Sequence, residues 1–169
     1  MPTNVLLNHW RRAAGVAAVA AMLWSGAPAI TAQATPRVTL QDALTLIDAA
    51  QKDATAKNYR LSFAVVDQRG DLIAVARMPG AGAATPDTAI GKAMLSAIYG
   101  QPSAALVARQ TNPVTQAMNE STGGRFRFLQ GALPIVRGGF TVGAIAASGA
   151  SSQQDEDSVR TALSAVNLK

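Results

Sequence analysis

The stretch GALPIVRGGFTVGAIAASGASSQQDE, residues 131–156, decides the fold. Two apolar runs, Leu133 to Val136 and Phe140 to Ala147, are joined by Gly138 and Gly139. Paired glycines supply the positive φ angles of a tight turn, so the stretch predicts a β-hairpin. Its second strand is slender, with Gly143, Ala144, Ala146 and Ala147, and small side chains allow a helix, another subunit or a ligand to approach the backbone. A helix is expected from about Ser152, with Asp155, Glu156 and Asp157 in its first turn, where acids favour the helix dipole. The acids read as helix-start residues ahead of a metal site.

Upstream of this hairpin the chain reads helix, hairpin, helices. Thr39 with Asp42 resembles a capping box, and Leu40, Ala43, Leu44, Ile47, Ala50 and Ala54 keep the helical period. Leu61 to Val66 and Leu72 to Arg77 predict a first hairpin around Asp67-Gln68-Arg69-Gly70, with Asp67 as a turn residue bonding to nearby amides. The loop from Met78 to Ala84 is glycine-rich without the spacing of a phosphate loop. Thr85 as cap, then Pro86 and Asp87, open a helix that runs to Tyr99 and stops at Gly100. Besides its core stripe, that helix has a second one, Lys92, Leu95, Ser96 and Tyr99, suited to a pocket or a partner subunit.

A short helix over Ser103 to Gln110 and a further helical turn through Met118 follow, separated by Asn112-Pro113. Arg125-Phe126-Arg127-Phe128 alternates strictly, which predicts a strand with both rings on one side and both cations on the other. The two readings of that alternation are an aromatic platform flanked by charge, or rings in the core and arginines in water. Two hairpins and this strand give an α+β fold with an antiparallel sheet of about five strands and helices packed on it.

Composition narrows the chemistry. A basic Arg11-Arg12 pair and about twelve apolar residues, AAGVAAVAAMLW, precede Ala32-Gln33-Ala34, the pattern of a cleavable signal peptide over residues 1–34. The apolar run falls short of the roughly twenty residues that span a bilayer, so no stable membrane anchor is expected after cleavage. The expected mature domain, residues 35–169, would be exported to a periplasmic or extracellular location. His9, Trp10 and Trp24 leave with the leader, and the chain has no cysteine. The mature chain therefore excludes Ser-His-Asp and Cys-His catalysis and zinc sites built on His or Cys. Losing Arg11 and Arg12 lowers the net charge from +5 to +3, spread along the chain, which argues against nucleic acid.

The combination of FAVVDQRGDLIAVARMPGAG (63–82), AIGKAMLSAIYGQPSAAL (89–106) and the stretch 131–156 resembles the GlcG/HbpS-like haem-binding domain family, related to the C-terminal domain of some cobalamin adenosyltransferase-type proteins. The resemblance covers nearly all of Thr39 to Val166. It implies a profilin-like fold with helices on both faces of the sheet, a homo-oligomer, and a small ligand, with haem the best known and haem or iron handling the implied role. Arg77 and Met78 match the Arg-Met before the glycine-rich loop, Lys92 matches the helix lysine, and Tyr99 takes an aromatic place. Leu95 departs from the threonine often found in relatives. Iron ligation is left to Tyr59, Tyr99, Met78, Met94 or Met118, or to no side chain. Propionates could pair with Arg77, Lys92, Arg125 or Arg127, and the ring could lie on Phe126, Phe128 or the slender strand. A second reading is an enzyme or accessory protein for a small carboxylate, held by Arg77 or Lys92 with Asp67, Asp87 or Glu120 as acid or base. A third is a sensor or assembly subunit.

Overall fold

The computed structural model describes residues 36–167, within the unit Thr35–Lys169. The leader and its cleavage position lie outside the described residues. The elements in order are α1 (Leu40–Ala56), β1 (Ser62–Asp67), β2 (Leu72–Arg77), α2 (Thr85–Tyr99), a 3-10 helix (Ser103–Thr111), α3 (Pro113–Ser121), β3 (Ala132–Arg137), β4 (Phe140–Ser148) and α4 (Ser152–Ala165).

Both predicted hairpins form. Gly138 and Gly139 take φ of 57° and 83° in the β3–β4 turn, and Gly70 takes 85° in the β1–β2 turn. Asp67 does there what its position suggested: its Oδ1 accepts from the amides of Arg69 at 2.8 Å and Asp71 at 3.0 Å. The hairpins join through β1 and β4 into one antiparallel sheet ordered β2-β1-β4-β3.

The sheet among the described residues has four strands, not about five. Residues 125–128 pair with no strand. The segment instead lies across α2, where the Arg127 amide donates to Gly91 O at 3.3 Å.

Strand alternation then makes two unequal layers. Phe63, Val65, Leu133, Ile135 and Ile145 point to the side covered by α1 and α4, with Leu46, Ile47 and Val159. Ala64, Val66, Ala132, Ala144 and Ala146 point to the other side, against Ala89, Ala93 and Ala97 of α2. That second layer is almost entirely methyl groups, so α2 packs close to the sheet. On its outer side α2 packs through Met94 and Leu95 with Leu106 and Phe126. The helix is consequently buried nearly all round, as its apolar composition requires.

Helix ends follow local chemistry with a single one-residue shift. Thr39 and Asp42 form the expected capping box of α1. α4 begins at Ser152 as expected, capped by a box of Ser151 with Gln154, which leaves Asp155 for another task. At α2 Ala84 occupies the cap and Thr85 is already helical, its hydroxyl donating to Gly82 O at 2.7 Å. Gly100 ends α2 in the left-handed region, φ 63°.

Candidate functional site

The expected site residues are spread over both sides of the sheet, with Met78 on the α1 and α4 side and an aromatic group on the α2 side. Arg77, at the end of β2, pairs with Ser62, whose hydroxyl meets Thr85 of α2. Arg77 is exposed and turns back on its own loop, donating from Nε and Nη2 to Ala81 O at 3.0 and 2.6 Å. Met78 is buried in the larger core beside α1 and α4. Leu95, Tyr99, Phe126 and Phe128 gather on the outer side of α2.

Lys92 joins neither Met78 nor the aromatic group. Its Nζ donates to Asp155 Oδ2 at 2.8 Å and to Ala147 O at 3.1 Å, and the side chain is 2% exposed. Gly131 leaves room for this pair, since a Cβ there would lie 2.8 Å from Nζ and 2.9 Å from Asp155 Cβ. Asp155 also accepts from the Ala150 amide at 3.0 Å. The lysine charge therefore ties α2 to β4 and to the start of α4. The second stripe of α2 lies under cover: Leu95 and Ser96 are fully buried, and Ser96 donates to Gln101 O at 2.7 Å.

The segment after the Gly123-Gly124 loop shapes the outer surface. Asn119 Oδ1 accepts from the Phe126 amide at 2.8 Å, and Gly91 receives the backbone at Arg125 and the side chain of Arg127. With these two anchors Phe126 goes into the core, while Phe128 stays half-buried and meets it edge-on, ring centroids 6.2 Å apart at 78°. The rings form one wall of a cavity of about 400 Å³, completed by Gln110, Gln116, Asn119 and Glu120.

Tyr99 and Met118 pack with the same aromatic cluster. The Tyr99 hydroxyl bonds to Thr115 Oγ1 at 3.1 Å and Met118 Sδ at 3.4 Å, and the Arg109 guanidinium lies 5.2 Å from the ring centroid. Met94 is buried in that cluster too. Tyr59 bonds Gln154 Nε2 at 2.9 Å and packs against the larger core, remote from the aromatic pair. Glu120 lines the aromatic cavity, Asp87 lines a second one beside α2, and Asp67 is engaged in its turn.

Residues 38–164 match the family described as haem degrading protein HbpS-like. The chain belongs to that family. Among solved structures, a double mutant of Streptomyces reticuli HbpS is 27% identical, with 85% of this chain and 96% of that one covered and a TM-score of 0.69. Klebsiella pneumoniae protein ORFY is 25% identical over 79% of this chain and 93% of its own, with a TM-score of 0.70. A PduOC complex with haem shares the fold, at 24% identity, coverage of 78% and 96%, and a TM-score of 0.69. No curated protein matches the chain.

Several residues that organise the site carried little sequence signal. Asp155 as the partner of Lys92, Asn119 as the anchor of Phe126 and the glutamines of the cavity were not foreseen. Gly91 could have been noticed, because a glycine inside a helix costs stability and so suggests a close approach.

Proposed function

We propose that this protein binds haem and serves in haem handling, with any redox chemistry supplied by the bound tetrapyrrole. The observation that carries the reading is the Phe126–Phe128 cleft in a chain of the haem-degrading HbpS-like family. The cleft suits the group in one respect and limits it in another. Edge-to-face rings, one of them half-buried at the cavity wall, suit a large flat aromatic molecule. Residues 35–169 contain no histidine or cysteine, so the thioethers of Met94 and Met118 and the phenol of Tyr99 are the groups of the aromatic cluster with the chemistry to ligate iron. Met94 is buried, and Tyr99 and Met118 are already bonded to each other. Binding therefore rests on ring contacts, with at most weak iron ligation.

The buried Lys92 takes no part in this reading, and its pairing removes the strongest anchor from the small-carboxylate alternative. Cleavage before Thr35, export, and self-association complete the proposal, motivated by the leader pattern of residues 1–34 and the family resemblance. Hemin titration of the purified protein tests the central claim: a saturable change in the Soret band is expected. A spectrum that stays that of free hemin at protein excess would sink it.

A further inference from the structure

We propose that a second cavity, between the first turns of α2 and residues 125–127, binds a small oxyanion, a carboxylate or a phosphate. This site stands apart from the aromatic cleft and does not depend on the haem reading. The cavity measures about 270 Å³ and is lined by Asp87, Ile90, Gly91, Arg125 and Arg127.

Two of its five lining residues are arginines. Arg125 donates from Nε to Thr122 O at 3.0 Å, and Arg127 donates from Nη1 to Gly124 O and Phe126 O, each at 3.0 Å. These bonds fix one nitrogen of each group and leave the others, since a guanidinium carries five N–H donors. Neither arginine makes an ion pair among the described residues. Two like charges share a hollow without a counter-charge in contact. Planar, oriented donors of this kind match the oxygens of carboxylates and phosphates.

The backbone explains why the arrangement holds its shape. Any side chain at position 91 would meet Arg125 O and, at 2.6 Å, Arg127 Cγ. Glycine is a poor helix-interior residue, and here it lets the arginine segment rest directly on the helix. Asp87, exposed on the first turn of α2, adds one negative charge at the rim. The cavity keeps a net positive charge, while the carboxylate opposes an incoming anion.

The test is a titration of the 15N-labelled protein with sodium acetate and, separately, with inorganic phosphate, at constant ionic strength. Arginine Nε–H signals and the amides of residues 90–92 and 125–127 are followed. Saturable, single-site shifts with either ion are expected, and the responding ion names the class: acetate a carboxylate, phosphate a phosphate, both a general oxyanion. The R125Q/R127Q double variant should lose about tenfold or more in affinity. D87N should bind several-fold tighter because a repelling charge is gone. Linear, non-saturating shifts, or saturable binding unchanged in the double variant, would overturn the proposal. If the double variant fails to fold, D87N decides, and unaltered affinity there counts against the site. Hemin binding should persist in the double variant; its loss together with the anion would show one site and overturn the separation. Saturable anion binding without any hemin binding would remove the haem reading alone.

Discussion

Lys92 and Asp155, 63 positions apart in the chain, form an ion pair 2.8 Å long with side chains only 2% and 3% exposed. Breaking one partner of such a pair strands a buried charge, at a cost of about 3–5 kcal/mol. Lys92→Met and Asp155→Asn should each lower the denaturant midpoint accordingly. The joint Lys92→Met/Asp155→Leu variant should recover most of the loss, because no charge is left uncompensated. A Lys92→Met protein with an unchanged midpoint would contradict the role assigned to the pair.

A second ion pair gives the protein an acid-sensitive joint. Burial alone would raise the Asp42 carboxyl, but the Thr39 hydroxyl and amide and the Arg137 guanidinium outweigh it and hold the group below its ordinary 3.8. Asp42 and Arg137 are 3.0 Å apart and connect the start of α1 to β3. A carboxyl lowered in the folded state adds stability that is complete above its unfolded value and fades as pH falls through the folded one. Stability measured downward from about pH 5 should fall more steeply in the wild-type protein than in Asp42→Asn. Parallel curves for the two proteins would remove Asp42 from the account.

Ser103 opens the 3-10 helix, is fully buried, and accepts from the Ala132 amide at 2.9 Å, the first residue of β3. Ser103→Ala leaves that buried donor unmet, with an expected loss of about 1–3 kcal/mol. Hydrogen exchange at the Ala132 amide should accelerate in the variant. An unchanged exchange rate would mean that another acceptor takes over.

In the aromatic cleft, Phe128 is the half-buried ring and Phe126 the buried one, so Phe128 can be removed with less harm to folding. Phe128→Ala should weaken hemin binding about fivefold to tenfold, in line with the loss of one aromatic contact of about 1 kcal/mol. Tyr99→Phe should leave affinity nearly intact but alter the Soret position if the phenol reaches iron. Equal hemin affinity in Phe128→Ala and wild type would place the ligand elsewhere.

Local chemistry was legible in the sequence, while distant pairing was not. The glycine pairs, the Thr39–Asp42 box and the Gly100 stop act within a few residues, so their signals are complete in a short window. Arg125 to Phe128 misled because alternation records an extended path between two environments, and a sheet neighbour is only one way to supply them. Here α2 and α3 supply them through Gly91 and Asn119. Lys92 sits among small apolar residues of α2, which marks it as unusual, yet nothing nearby names its partner on α4. The first turn of α4 concealed Asp155 for the opposite reason, since an acid at a helix start already has a sufficient local explanation.

The alanine layer between the sheet and α2 has a consequence for how this protein can change. Ala89 and Ala93 meet Ala144 and Ala146 at methyl thickness, while Gly91, midway between them and thus on nearly the opposite side of the helix, seats Arg127. An enlarged side chain anywhere in that layer acts as a wedge, and α2 carries the displacement outward to every group resting on it. Drift at these positions is therefore limited to residues no bulkier than those present. The spacing of the outer surface is inherited from the thinnest part of the interior.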